Sequence, residues 1–258
     1  MMLPVGFRRV PFAHRALHDM ADGRPENSRA AIQAAIDAGY GIEIDVQLSA
    51  DGAAMVFHDY ALDRLTGATG AVRLRSAVEL GEIGLAGGAE GIPGLPEVLT
   101  LIARRVPLLI EIKDQDGGMG PDVGPLEQAV ASGLQDYDGE VAVMSFNPHS
   151  VGLMADLAPQ VARGLVTSAY HYEDWPLPRA TCDRLRGIPD FERTGSCFIS
   201  HEYGDLSRPR VTELRAKGAY VSCWTVRSPQ EASIALAAVD NITFEGFRPP
   251  ADLSATAG

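Results

Sequence analysis

Basic residues are scarce in this chain. Its 258 residues include 22 lysines and arginines against 34 aspartates and glutamates, so the formal net charge is −12. Proteins that bind nucleic acids or anionic membranes usually present a basic face. The charge therefore argues against both kinds of partner. An anionic small-molecule substrate would have to be attracted locally, by a metal ion or by a few placed arginines and lysines.

Cysteines and long apolar runs are also rare. The three cysteines, Cys182, Cys197 and Cys223, are scattered and show no C-x-x-C spacing. This pattern favours small core residues in a reducing compartment over a disulfide framework. No apolar stretch approaches the roughly 20 residues of a transmembrane helix, and the segment Met1 to Val10 lacks the apolar run of a secretory signal. We therefore expect a soluble, cytoplasmic protein without stable membrane insertion.

The composition otherwise suits one large hydrophobic core. Hydrophobic residues make up 46% of the chain and charged residues 22%, as is ordinary for a globular protein. The length is close to the roughly 250 residues that are typical of a single (β/α)8 barrel. We predict one domain over residues 1–258. Apolar runs rich in β-branched residues predict strands at about Arg9–Ala13, Tyr40–Gln47, Val106–Lys113, Val141–Phe146, Ala162–Thr167, Cys197–His201, Tyr220–Val226 and Asn241–Phe244.

Helix-like patterns fall between these strands. Strands that alternate with helices are typical of parallel sheets, and eight of them favour an α/β fold, the (β/α)8 TIM barrel, over an open doubly wound sheet. Asn27 or Ser28 is expected to cap the first helix, with Glu26 just ahead of its first turn. The predicted helices are Ser28–Ala38, Leu95–Arg104, Pro125–Gln135, His149–Leu157, Arg179–Leu185, Arg208–Lys217 and Pro229–Val239.

One segment interrupts the alternation. Residues 48–94, which lie between the second strand and the helix at Leu95, are rich in glycine and alanine. Asp51-Gly52 is a strong signal for a two-residue hairpin turn. A turn centred there pairs position 45 with position 58, which would place His58 beside Asp45. We expect the remainder to form a small insertion after the second strand that covers one mouth of the barrel.

Four charged side chains lie within two of the apolar strands. Glu43 and Asp45 occupy the second strand, and Glu111 and Lys113 end the third. Because residues at i and i+2 leave a strand on the same face, each pair points in one direction. A buried carboxylate must be paired, hydrogen-bonded or bound to a metal. The pattern therefore predicts a metal site, although an internal network of ion pairs would place the same residues there.

Further polar groups follow the strands at the same end of the barrel. His14 and Arg15 come directly after the first strand, and the hairpin would return His58 to this mouth. Barrel enzymes place their active sites at the carboxyl ends of the strands. Two imidazoles, three carboxylates and two cations are thus expected to converge on one opening.

Each residue type in this set has a chemical use. Three carboxylates suit a hard divalent cation, Mg²⁺ or Ca²⁺, better than zinc, because no cysteine joins them. Arg15 offers a planar fork of donors to a phosphate, and Lys113 offers a point charge. Histidines such as His14 and His58 titrate near neutral pH and can serve as general base and general acid. The set matches displacement at a phosphodiester.

The order of these motifs resembles the glycerophosphodiester phosphodiesterase family, whose pattern is H-R, P-E-N-T, I-E-x-D-V, D-G, H-D, E-x-K and W-T-V-N. Any one of the motifs is weak evidence, whereas the ordered set is highly specific. The matching stretches are His14-Arg15, Pro25-Glu26-Asn27-Ser28, Ile42-Glu43-Ile44-Asp45-Val46, Asp51-Gly52, Val56-Phe57-His58-Asp59, Glu111-Ile112-Lys113 and Cys223-Trp224-Thr225-Val226.

The resemblance implies a metal-dependent enzyme on a TIM barrel that splits a small-molecule glycerophosphodiester into glycerol 3-phosphate and an alcohol. It also implies roles for individual residues. The metal ligands would be Glu43, Asp45 and Glu111, and the catalytic acid and base would be His14 and His58. Arg15 and Lys113 would bind the phosphate, and Trp224 would line the substrate cleft.

The chain departs from the family pattern at a few positions. Ala16 stands where the family has glycine, Ser28 where it has threonine, and Arg227 where it has the asparagine of W-T-V-N. At the last strand, Asp240 to Gly246 have the sequence D-N-I-T-F-E-G, where the family has G-I-I-T-D. These differences bear on the alcohol that is released more than on the metal site.

Two other functions fit a barrel with these residues, because a fold does not determine a function. One is a lyase in which Lys113 forms a Schiff base with a carbonyl substrate, or in which the metal holds an enolate. The other is a non-catalytic module that binds phosphate or metal. Loss of a histidine or a carboxylate would mark the second, and all of them are present.

Overall fold

Side chains alternate between two faces along the central strands of the computed structural model. The structure describes residues 2–253; Met1 and residues 254–258, at the ends of the predicted domain, lie outside the described residues. Ile42, Ile44, Ile110 and Ile112 point outward into the core that the strands share with the helices. Leu109, which directly precedes Ile110, packs inside the barrel. The period of two explains how charged residues enter these strands without disturbing the outer core.

A closed parallel barrel forms the centre of the molecule. Its first strand pairs in parallel with both the second strand and the last, which closes the sheet. The predicted TIM barrel is confirmed. The strands are β1 Phe12–Ala13, β2 Gly41–Leu48, β3 Ala54–Val56, β4 Leu108–Ile112, β5 Val141–Ser145, β6 Ala162–Thr167, β7 Phe198–Glu202, β8 Tyr220–Val226 and β9 Asn241–Phe244; all but β3 belong to the barrel.

Helices follow the barrel strands and cover them from outside. None of those in the described part of the chain combines the length and the hydropathy that a membrane span requires. The α-helices are α1 Arg29–Ala38, α2 Ala77–Glu82, α3 Leu95–Ile102, α4 Pro125–Leu134, α5 Pro148–Leu157, α6 Arg179–Arg186, α7 Pro209–Ala216 and α8 Pro229–Ala238. Short 3-10 helices span Val5–Arg8, Met20–Asp22, Val72–Leu74 and Tyr203–Asp205.

The start of α1 is fixed as the sequence predicts. The Ser28 hydroxyl accepts a hydrogen bond from the backbone N–H of Ala31 at 3.1 Å, and so satisfies one of the free donors at the helix start. Ile32 is fully buried against the barrel, which stabilises the fold by about 1.5–3 kcal/mol relative to an exposed side chain. The helix ends at Gly39, whose φ of 73° is cheap only for glycine. The Leu17 N–H donates to the carbonyl of Ala31 in this helix at 3.2 Å, which ties the loop that carries Arg15 to α1.

The predicted hairpin register is wrong by one residue. In the antiparallel ladder of β2 and β3, Val46 lies opposite Val56, so Asp45 faces position 57 and not His58. The loop has three residues between Ser49 and Ala53, because the Ser49 hydroxyl accepts a hydrogen bond from the Ala53 N–H at 2.8 Å. Gly52, the last loop residue, has a φ of 83°, which is the left-handed conformation that closes such a loop.

The segment between β3 and α3 builds a small core of its own. Phe57 and Leu62 are fully buried there and pack with Leu80 of α2, a helix that the sequence pattern did not predict. The backbone N–H of Phe57 still donates to the carbonyl of Asp45 at 3.0 Å, so the segment leaves the barrel only after position 57. Residues 58–64 then run along the mouth of the barrel, where several of them line a cleft.

Candidate active site

A cleft of about 660 Å³ opens at the carboxyl ends of the barrel strands. This is the end at which barrel enzymes carry their active sites. All of the residues that the sequence singles out line this cleft. They are His14, Arg15, Glu43, Asp45, His58, Glu111, Lys113 and Trp224.

Three carboxylates meet on one side of the cleft. Glu43, Asp45 and Glu111 are buried, and each offers an oxygen that lies within 4.8 Å of those of the other two. Parallel pairing of β2 with β4 sets Asp45 directly opposite Glu111. Burial, together with the charges of Asp45 and Glu111, raises the pKa of Glu43 well above its ordinary value. Over residues 2–253 no other group of acids, histidines or cysteines is arranged in this way.

Lys113 neutralises part of this negative charge. Its ammonium nitrogen lies 2.7 Å from Oδ1 of Asp45 and 2.6 Å from Oε1 of Glu111. Burial alone would lower the pKa of Lys113, but the two carboxylates more than offset burial and raise it. Burial opposes ionisation of Asp45 too, yet the charges of Lys113, His58 and Arg15 lower its pKa. Lys113 and Asp45 are therefore both charged at neutral pH.

The loop after β1 turns sharply around Glu43. Arg15 and Ala16 have φ values of 53° and 65°, and their N–H groups donate to a side-chain oxygen and to the carbonyl of Glu43, respectively. Asn27, with a φ of 60°, donates from its amide to Oδ2 of Asp45 at 2.9 Å. Such left-handed conformations cost free energy and tend to occur at functional sites. Here they aim two donors, the Arg15 N–H and the Asn27 amide, at carboxylates of the cluster.

His58 is held by a chain of charges. Its Nδ1 lies 2.6 Å from Oδ1 of Asp59, whose carboxylate also accepts two hydrogen bonds from Arg64. Arg64 in turn donates to both oxygens of Glu26, and Arg15 donates to Glu26 from the other side at 2.9 Å. Burial opposes ionisation of Asp59, but hydrogen bonds from His58 and Arg64 lower its pKa far below the ordinary value. The network ties the insertion to the loop after β1.

His14 has a separate carboxylate partner. Its Nδ1 lies 2.9 Å from Oε2 of Glu245, the residue that follows β9. The hydrogen bond from His14 lowers the pKa of Glu245 to about 2, against the effect of burial. Burial lowers the pKa of His14, while the hydrogen bond to Glu245 raises it to a lesser extent. Each of the two predicted catalytic histidines is thus oriented through Nδ1.

The opposite side of the cleft is apolar. The Trp224 ring meets Phe146 edge to face, with the centroids 5.5 Å apart, and its Nε1 donates to the carbonyl of Ser200 at 3.1 Å. Trp175 packs on Phe146 from another direction, at 4.9 Å between centroids. Met144 also lines this wall. A ligand in the cleft would therefore contact charged groups on one side and aromatic rings on the other.

Glu26, Arg64 and Glu245 were not predicted to be site residues. Glu26 was expected to lie only beside a helix start, yet its carboxylate joins two arginines. Arg64 belongs to the insertion. Its position six residues after His58 is the sequence feature that could have indicated a place in the site. Glu245 is 231 positions from His14, and only the pairing of β1 with β9 brings them together.

Comparison with known proteins identifies a family model and several relatives. The model of the "Glycerophosphoryl diester phosphodiesterase family" matches residues 14–243. An uncharacterised protein of Bacillus subtilis is 33% identical over 177 residues, which cover 63% of this chain and 68% of that protein. A glycerophosphodiester phosphodiesterase of Caldanaerobacter subterraneus is 35% identical over 165 residues, which cover 58% of this chain and 65% of that enzyme.

Solved structures share the architecture. A phosphodiesterase of Oleispira antarctica, whose structure is in complex with the product sn-glycerol-3-phosphate, superposes with a TM-score of 0.73. The alignment covers 91% of this chain and 93% of that one, at 24% sequence identity. At this identity the likeness supports the fold.

Proposed function

Since this chain belongs to the glycerophosphoryl diester phosphodiesterase family, we propose that it hydrolyses glycerophosphodiesters to glycerol 3-phosphate and an alcohol with the aid of a divalent cation. The observation that carries the proposal is the cluster of Glu43, Asp45 and Glu111 at the barrel mouth, within one cleft with two histidines. The glycerol 3-phosphate bound to the Oleispira antarctica phosphodiesterase supports the same product here.

The residues of the cluster fit a divalent cation. Carboxylate oxygens are the ligands that Mg²⁺ and Ca²⁺ prefer, and no cysteine is among them. Burial, with the charges of Asp45 and Glu111, raises the pKa of Glu43 even though Lys113 is close by, and a bound cation would favour the ionised form of all three acids. Glu43, Asp45 and Glu111 would hold the cation. When bound, it would supply positive charge to the phosphate oxygens on which negative charge develops.

Arg15 and Lys113 are proposed to bind the phosphate. Nε of Arg15 is buried, and among the described residues it has no hydrogen-bond partner; Oδ2 of Asp45 lies 3.8 Å away. An unsatisfied buried donor costs free energy that an anionic ligand would recover. Lys113 lies deeper, between two acids, and contributes a fixed positive charge. Both residues line the cleft.

His14 and His58 are proposed to move the protons. Nδ1 of each imidazole is engaged by a carboxylate, and within residues 2–253 no hydrogen bond occupies Nε2, so Nε2 is the nitrogen that would exchange a proton with the substrate. One histidine would take the proton of the attacking oxygen, and the other would protonate the departing alcohol. Two nucleophiles fit this division, water and the glycerol hydroxyl of the substrate itself. Phosphorus NMR separates them, because only the second yields a cyclic phosphate.

A lyase that uses Lys113 as a Schiff base is disfavoured by the geometry. Schiff-base formation needs an unprotonated amine, whereas two carboxylates near 2.7 Å keep Lys113 charged. Borohydride in the presence of a carbonyl substrate should therefore leave Lys113 unmodified.

The decisive assay offers glycerophosphocholine, glycerophosphoethanolamine, glycerophosphoglycerol and glycerophosphoinositol in turn, with Mg²⁺ or Ca²⁺, and measures glycerol 3-phosphate. We expect release from at least one substrate, loss of activity in EDTA and recovery when the cation is restored. No release from any substrate would contradict the proposed reaction. Full activity in excess EDTA would contradict the proposed cation alone.

A further inference from the structure

Glu245 stands at a point where the sequence departs from the family pattern, and the fold sets its carboxylate beside His14. The backbone N–H of His14 donates to the carbonyl of Phe244 at 2.9 Å, and the N–H of Glu245 donates to the carbonyl of Val226 at 2.9 Å. These bonds continue the barrel pairing by one residue beyond β1 and β9. The two side chains consequently emerge beside each other at the mouth, with Nδ1 and Oε2 2.9 Å apart.

An ionised carboxylate decides which imidazole nitrogen carries a proton. Glu245 has a pKa of about 2 and so accepts hydrogen bonds without donating any at neutral pH. Nδ1 of His14 must then hold the hydrogen, and Nε2 is the nitrogen left for the substrate. His14 is largely buried, with 13% of its side chain exposed, and lines the cleft.

We propose that Glu245 is a positioning residue that fixes the orientation and tautomer of His14, so that Nε2 is presented to the substrate. The inference rests on the proposed function, in which His14 transfers a proton. The carboxylate does not touch the reacting atoms in this role. It acts through the imidazole.

Arg227 strengthens this arrangement, and it too replaces a residue of the family pattern. Its Nη2 lies 3.4 Å from the same Oε2 that His14 contacts, while His18 approaches the other oxygen at 4.0 Å. Arg227 can only donate, so it favours an acceptor at the Oε2 position whatever side chain stands there. A glutamine at position 245 would therefore turn its oxygen towards His14 and keep the tautomer, without the negative charge.

The test compares Glu245→Ala and Glu245→Gln with the wild type, using imidazole ¹⁵N NMR, kcat, KM and melting temperature. His14→Gln identifies the His14 signals among those of the six histidines. Glu202→Ala is the matched control, because Glu202 also ends a strand at the mouth and its carboxylate accepts the N–H of Ala169 at 2.9 Å outside the cleft.

In the wild type we expect His14 to be protonated on Nδ1, and in Glu245→Ala to populate both tautomers. The kcat of Glu245→Ala should fall about 10- to 100-fold with little change in KM, which is a part of the roughly 10²–10⁴-fold that proton transfer contributes. Glu245→Gln should keep the tautomer and recover part of kcat. Glu202→Ala should affect stability without changing the His14 signals.

Two results would overturn the inference. One is an unchanged His14 tautomer in Glu245→Ala, and the other is a wild-type kcat in that variant. Failure of the proposed function is a different result, since the wild type would then release no glycerol 3-phosphate. The NMR comparison would still show whether Glu245 controls His14.

Discussion

The ammonium nitrogen of Lys113 lies 2.7 Å from Oδ1 of Asp45, deep in the barrel mouth. The same nitrogen contacts Glu111, so one lysine serves two of the three clustered acids. Glu43 is left with the N–H of Arg15 as a direct donor and with two negative neighbours. The repulsion within the cluster is therefore concentrated on Glu43, and the three acids should not respond alike to substitution.

Glu43→Gln should stabilise the metal-free protein. Because the pKa of folded Glu43 is raised above its ordinary 4.5, its ionisation lowers the free energy of unfolding as pH rises from 4.5 towards the folded value. We expect a higher melting temperature than wild type in EDTA at pH 7, with the advantage vanishing near pH 4.5. Added Mg²⁺ or Ca²⁺ should stabilise the wild type much more than the variant.

Asp45→Asn is the contrasting variant, because it leaves Lys113 with one carboxylate fewer in a buried site. Breaking a buried ion pair typically costs about 3–5 kcal/mol, so its melting temperature should fall. Equal melting temperatures for the two variants would show that Lys113 does not divide the acids in this way.

Changing the leaving group should distinguish the roles of His14 and His58. Either histidine replaced by alanine should slow hydrolysis of alkyl-alcohol substrates by roughly 10²–10⁴-fold. A p-nitrophenyl leaving group departs without protonation, so the residue that acts as acid should matter far less with it. The measurement is kcat for both variants on both substrates. Equal losses in all four cases would show that the histidines do not divide acid and base between them.

Arg64 should matter more to His58 than the length of the hairpin loop does. His58 lies beyond β3, and its imidazole is held by Asp59, which Arg64 fixes with two hydrogen bonds. Arg64→Met keeps much of the side-chain volume but frees Asp59, and we expect kcat to fall about tenfold or more, a part of the roughly 10²–10⁴-fold of proton transfer.

One alanine inserted between Asp51 and Gly52 provides the comparison. The turn is already a three-residue loop, and the strand pairing does not face His58, so most of the activity should remain. If the insertion lowers kcat as far as Arg64→Met does, the hairpin positions His58 after all.

Glu245 should stabilise the fold above acidic pH. Its pKa falls from the ordinary 4.5 to about 2 on folding, so its contribution is present above pH 4.5 and is lost as the pH falls towards 2. Glu245→Gln should unfold at lower urea concentration than wild type at pH 7, and the gap should narrow between pH 4.5 and pH 2. This pH dependence is opposite in sign to that of Glu43→Gln. Parallel curves over the whole range would contradict the assignment.

Both tryptophans of the chain, Trp175 and Trp224, line the cleft. We therefore expect glycerol 3-phosphate to change the intrinsic fluorescence. Trp224→Phe keeps an aromatic contact with Phe146 but loses the hydrogen bond to Ser200, and it should raise KM several-fold with kcat nearly unchanged. Unchanged KM and fluorescence would indicate that Trp224 only packs.

The sequence by itself determined the barrel and the side of the strands on which the charged residues lie. Three strands, β6, β8 and β9, have the predicted bounds, because apolar runs between turn residues leave few alternatives. The first strand is shorter than the predicted Arg9–Ala13, since Pro11 has no N–H to donate to a ladder. Residues at i and i+2 share a face in any strand, so the sequence alone was enough to place Glu43 and Asp45 on the same face.

The tertiary structure decided which side chains hold the two histidines. The hydrogen bond to the Ser49 hydroxyl closes a three-residue hairpin loop, so the strand register differs by one residue from that of a two-residue turn. The Asp51-Gly52 pair in the sequence does not distinguish these two loops. Glu26 reaches Arg64, and Glu245 reaches His14, across 38 and 231 positions of sequence. Such pairs depend on barrel closure and on the rotamers of long side chains. Periodicity reports the direction in which a side chain leaves the backbone, whereas only the folded chain determines what it meets.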